Sequence, residues 1–238
     1  MPQFDGIKLI VEEGFSKDEA VTVTMGSRSM INFIERRLSA VKSESEITDL
    51  NIVVSKSSVD DDLIRYKRPK GHAGIKTRMD PRHFINPPAK FHKTCAEMIR
   101  KGFRTASRHI ALPVDQVSQA IDDFIEGGFV NRWTQADKTW QRTGVRSVIR
   151  CDLRTDAFEL TQSVYRDQKL LTEAIIARTK PREWLFHPLM GKLSLSKSQI
   201  FYRTGNKLLS TYDLETEKLD FSSENIKDAF KLDSAKAE

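Results

Sequence analysis

The residues best suited to chemistry lie in two places. Four of the five histidines, His72, His83, His92 and His109, fall within one stretch, and His92-x-x-Cys95 has a spacing that metal ligands use. Zinc needs four well-placed donors, however, and the spacing 72, 83, 92, 95 matches no familiar finger. Cys95 also falls on the apolar face of a helical pattern, which makes it a buried structural thiol. Further along, Asp152 with Asp167-Gln168-Lys169 echoes the carboxylate-and-lysine set of metal-dependent nucleases. That chemistry wants the last group on a strand, whereas 165–177 reads as a helix, so Asp167 and Lys169 become a solvated surface. No Gly-x-Ser-x-Gly, His-Glu-x-x-His or Walker-type loop occurs. The expectation is a non-enzymatic protein with no catalytic residue, metal or cofactor.

Charge says more. The 238 residues carry a net charge of +6, and between Arg65 and Ile110 thirteen basic residues face only Asp80 and Glu97. That local excess of +11 leaves −5 for the rest of the chain. So dipolar a distribution concentrates attraction for polyanions in one segment, and nucleic acid is the commonest such partner. No run approaches the roughly 20 apolar residues of a spanning helix, so no membrane partner is expected. The first residues lack a secretory pattern, and Cys95 and Cys151 are isolated, which points to the reducing cytoplasm.

The elements that must position these residues can be read from periodicity. Residues 1–57 form a small α+β unit: strands at 7–11, 20–25 and 50–54, and a helix from Ser27 or Ser29 to about Ala40. Residues 58–87, rich in charge, proline and glycine, read as a basic flexible arm carrying Lys67, Arg68, Lys70, Lys76 and Arg78. Then Phe91, Cys95, Met98 and Ile99 mark one face of a helix. A second short helix covers 105–111, and Val117, Ile121, Phe124 and Ile125 mark a third that Gly127-Gly128 ends. Two strands follow, 129–133 and 145–153, around a polar tip. Residues 156–178 read as a long helix, a candidate dimer contact. Trp184 to Met190 is an apolar cluster, 200–204 and 207–210 make a hairpin about Gly205-Asn206, and a short helix with a charged tail starts near Ser222.

The run from Thr105 to Val130, with an alanine-containing helix, a turn, Val117-Ser118-x-x-Ile121 and Gly128-Phe129-Val130, resembles the winged helix-turn-helix family over residues 88–155. More loosely, the plan is similar to winged-helix plasmid and phage replication initiators. The resemblance implies an α+β protein whose winged module is flanked by the N-terminal unit and by the C-terminal helix and hairpin. It further implies sequence-selective binding of double-stranded DNA, as a transcriptional regulator or replication initiator. Gln116, Ser118 and Gln119 would meet base edges, with their aliphatic neighbours locked beneath the hairpin. Thr105, Ser107 and Arg108 would meet phosphates, Lys138 and Arg142 would serve the wing, and Arg100, Lys101 and Arg104 would extend the basic surface. Trp140 in the wing reads as cover for the hairpin's own core. Against this stand four acids on the same helix, Asp115, Asp122, Asp123 and Glu126. The competing reading is a structural or adaptor protein that holds RNA or single strands by charge alone.

Overall fold

The computed structural model describes residues 4, 6–12, 14–41, 46–56, 63–65, 71–78 and 88–223, and the chain divides into two compact units at Asn131/Arg132. It is a mixed α and β protein with three sheets.

Unit 1 begins with β1 (Gly6–Val11), α1 (Lys17–Gly26) and α2 (Arg28–Leu38). The stretch expected to be a strand at 20–25 is helical. Its β-branched residues are overridden at the N-terminus, where the Ser16 hydroxyl accepts from the Glu19 amide and the Glu19 carboxylate accepts from the Ser16 amide. Such a reciprocal cap contributes about 1 kcal/mol to starting a helix. Next come β2 (Asp49–Ser55), β3 (Leu63–Arg65) and β4 (His72–Arg78). The sheet order is β1-β2-β4-β3, parallel except for the β3–β4 pair. Strands β3 and β4 fall inside the expected arm, so Lys76 and Arg78 belong to a sheet. Lys67, Arg68 and Lys70 lie outside the described residues.

α3 (Pro88–Ala106) and α4 (Val114–Glu126) complete the unit. The second short helix expected at 105–111 does not form: α3 runs to Ala106, and turns occupy 107–109. Its face of Phe91, Cys95, Met98, Ile99 and Phe103 is unbroken, which leaves no reason to stop earlier. Ile7, Leu9, Leu50, Ile52, Val54, Ala73 and Ile75 share one core with α2, α3 and α4. Gly102 lets α3 sit directly on β2, since a Cβ there would lie 2.8 Å from the Ile52 side chain. The unit therefore reaches well past the expected boundary at residue 57.

Unit 2 is built from strands. β5 (Arg132–Trp140), β6 (Val145–Leu153), β7 (Phe158–Arg166) and β8 (Lys169–Thr179) form an antiparallel sheet in chain order. A short helix α5 (Glu183–Phe186) and a 3₁₀ turn lead to β9 (Lys192–Ser196), β10 (Gln199–Thr204), β11 (Lys207–Asp213) and β12 (Leu219–Phe221), again antiparallel in order. The two sheets enclose Val145, Ile149, Cys151, Leu153, Phe158, Leu160, Tyr202 and Tyr212, with Phe186 and Leu189 from the connection. Edge strand β5 approaches β9, and β8 approaches β12.

The long helix expected at 156–178 is therefore a hairpin, β7–β8, and the dimer contact assigned to that helix loses its basis. Asp167 and Gln168 take positive φ values of 49° and 68°, a two-residue turn whose twist suits a hairpin. The Gly205-Asn206 hairpin forms as expected, while the helix expected near Ser222 falls mostly outside the described residues. Phe186 and Leu189 of the apolar cluster are core, but Trp184 is 62% exposed. No described helix is long and apolar enough to cross a membrane.

Candidate nucleic-acid interface

The 3.6-residue period of α3 separates an apolar face from a charged one. Opposite Phe91, Cys95 and Ile99 stand Lys93, Glu97, Lys101 and Arg104, all exposed, and Arg108 continues the line in the following turn. Steps of four, four, three and four residues keep these groups on one side. Lys93, Lys101, Arg104 and Arg108 form no ion pair with any described residue, so their charge is directed at solvent. Arg100, one position round the helix, is held by Asp122 of α4 and is only 23% exposed. Thr105 is buried at 5% exposure and is no phosphate contact, contrary to expectation. The Ser107 hydroxyl donates to the Arg104 carbonyl at 2.9 Å, closing the end of α3.

On α4 the amides point outward as expected. Val117, Ala120, Ile121 and Phe124 are buried, Gln116 and Gln119 are exposed, and Ser118 is half-buried. The buried face belongs to the unit 1 core, packed on α2 and α3, whereas the expectation assigned it to the core of the β5–β6 hairpin, whose Val145, Ile149, Cys151 and Leu153 belong to the separate unit 2 core. The Gln119 amide donates to Asp123 at 2.9 Å, which leaves Gln116 the freer of the two. Two of the four acids on α4 are neutralised in place: Asp122 by Arg100, and Asp123 by Arg37 at 3.6 Å. The acidity that spoke against this helix is thus partly internal to the unit.

The remaining expected residues are scattered. Lys76 is paired with Glu12, whose carboxyl is held below its usual range by that ammonium and by the Ser55 hydroxyl. Arg78 is exposed at the end of β4. In unit 2, Lys138 is exposed on β5 with its ammonium 5.5 Å from the Trp140 ring centroid, and Trp140 packs against the unit 2 core. Arg142 is exposed in the tight turn between β5 and β6. Lys93, whose i, i+8 relation to Lys101 is visible in the sequence, joins the expected contact residues, whereas the role of Arg37 depends on α2 packing against α4.

The other chemistry considered does not assemble. His92 is buried, stacked on Phe129 with centroids 5.2 Å apart and set edge-on to Phe124 at 5.4 Å. Burial lowers its pKa to about 4, and burial likewise pushes the Cys95 thiol up. No cluster of metal-ligating side chains occurs among the described residues. Asp152 pairs with Arg132 and lies across from Glu159 at one end of β7, while Asp167 and Lys169 lie at the other end. Seven residues of strand separate the two ends, about 23 Å. No protein family, curated protein or solved structure matches this chain.

Proposed function

We propose that the protein is a non-enzymatic, sequence-selective binder of double-stranded DNA in the cytoplasm, acting as a transcriptional regulator or replication initiator. The observation that carries this reading is the line of cations without a described ion pair along α3 and the turn after it, Lys93, Lys101, Arg104 and Arg108, followed by a helix whose amides face outward. Phosphates attract such a line because each neutralised phosphate releases condensed counterions. In this reading α3 follows the backbone and α4 offers Gln116 to base edges, where an amide can pair bidentately with adenine. The β5–β6 hairpin, with Lys138 and Arg142, is the wing of a winged helix-turn-helix arrangement.

Selection from a random duplex pool, followed by a salt series on the selected site, tests it. Replacing Lys101, Arg104 and Arg108 together by alanine should weaken duplex binding by roughly 100-fold at physiological salt and lower the log–log salt slope by about 2.7. Replacing Gln116 alone should relax sequence preference with the slope unchanged. Unaltered binding by the triple variant would remove the interface. Equal affinity for single strands would replace the duplex reading by the charge-driven adaptor.

A further inference from the structure

The outward face of the β5–β8 sheet contains a cavity of about 460 Å³ that the nucleic-acid reading does not use. Its floor is a row across three strands: Thr134 opposite Arg150, and Arg150 opposite Thr161. One pleat to either side stand Asp152, paired with Arg132, and Glu173, which accepts from the Ser163 hydroxyl.

The arginines of this face are held in different ways. Arg154 makes two hydrogen bonds to Glu159, at 2.9 and 3.1 Å, and Arg146 makes two to Asp137. Arg150 is looser: one nitrogen reaches Ser163 and Glu173 only at 3.5 and 3.4 Å, another reaches Tyr165 at 3.1 Å, and its side chain is 51% exposed. The Thr134 and Thr161 hydroxyls engage no described residue. Arg132 uses Nε on Asp152, and its terminal nitrogens have no partner among the described residues. Each flanking carboxylate keeps one oxygen without a described partner, Oδ1 of Asp152 and Oε1 of Glu173. Glu159, also in the lining, is saturated by Arg154 and by Arg178 at 3.2 Å.

We propose that this cavity binds a small monocarboxylate carrying an amino or hydroxyl group on the adjacent carbon. The carboxylate is received by the Arg150 guanidinium, which leans toward Ser163 and Tyr165, with the Thr134 and Thr161 hydroxyls of its own row as further donors, a charge-assisted arrangement. The neighbouring amino or hydroxyl group donates to the free oxygen of Asp152 or Glu173. Those two carboxylates select against a phosphate dianion, which they would repel. The cavity is open to solvent on one side, and its volume falls within the range of small-ligand clefts. The site belongs wholly to unit 2 and stands whether or not unit 1 binds DNA.

The test is amide chemical-shift titration of the full chain with glycine and glycolate, with acetate and inorganic phosphate for comparison. Glycine or glycolate should shift amides at 132–134, 150–152, 161 and 173, and should bind more tightly than acetate or phosphate. Arg150→Gln should weaken binding roughly tenfold or more. Thr161→Val, a gentler change for the fold, should weaken it less, with the thermal melt showing each variant folded. Asp152→Asn should reduce the advantage of glycine over acetate. No shift at millimolar ligand, shifts centred elsewhere, or full affinity in a folded Arg150→Gln variant would overturn the site. Tighter binding of phosphate would overturn the ligand class.

Discussion

Unit 1 and unit 2 handle polar groups in opposite ways. Unit 1 buries a histidine among phenylalanines with its Nδ1 without a described partner, and leaves Lys93, Lys101 and Arg104 of α3 without an ion pair among the described residues. Unit 2 buries Gln162 in a closed relay, its amide donating to Ser147 at 3.0 Å and accepting from the Ser210 hydroxyl of the facing sheet. It also sets most sheet-face arginines against carboxylates. The number of charges therefore says little about either unit. What distinguishes His92 and the α3 cations from Gln162 and the sheet-face arginines is whether the partner lies within the described fold.

The largest effect expected from this contrast is on acid stability. His92 titrates near 4 in the folded protein against about 6.5 unfolded, so protonation favours the unfolded chain. The stability tied to the neutral ring is complete above about pH 6.5 and is lost progressively down to about 4, a total of about 3 kcal/mol. Unit 2 has no such group among its described residues: Asp137, held low by Arg146, loses its contribution only below the ordinary carboxylate range, and Tyr202 is raised to about 12. Acid unfolding followed by amide exchange should therefore open unit 1 first, and His92→Phe should remove that difference. Simultaneous opening of wild-type units would break the comparison.

A smaller effect should come from Gln162→Leu, which strands the Ser147 and Ser210 hydroxyls inside unit 2. Denaturant melts should show a loss of about 2 kcal/mol, and Gln162→Glu should not rescue it, because both hydroxyls could donate to the carboxylate but its charge would be buried away from water. Smallest of all is Arg146→Ala. Its pair with Asp137 is solvent-exposed, and its removal should cost less than about 1 kcal/mol. A larger loss would mean that the face ladder acts as a network.

Legibility in the sequence followed the same physical lines. β1, α2, β2 and α4 were readable because each buries a single regular face, such as Val117, Ile121 and Phe124. The hairpin β7–β8 was not, for two reasons. Gln162 occupies an inward position where alternation calls for an apolar residue, and its partner Ser210 lies 48 positions away. In β8, irregular register sets Leu171 and Ile176 out of step with β7, which breaks the two-residue period and leaves Leu171 and Ile175 at helical spacing. For the interface, the outward amides and the α3 cations were legible from periodicity. The burial of Thr105 and the pairing of Asp122 and Asp123 were not, since both depend on how α3 and α2 pack against α4.

Asn131 has a practical corollary. Its side-chain amide donates to the Ser29 carbonyl at 2.8 Å and to Asn32 at 3.1 Å, and its oxygen accepts from Arg36. Phe129, just before it, holds a left-handed φ of 65° while stacked on His92. Truncation for separate expression should thus retain the peptide through position 131 on the N-terminal piece. Cutting at 87 or 155, where composition alone suggests a seam, would split a hydrophobic interior in the first case and an antiparallel sheet in the second.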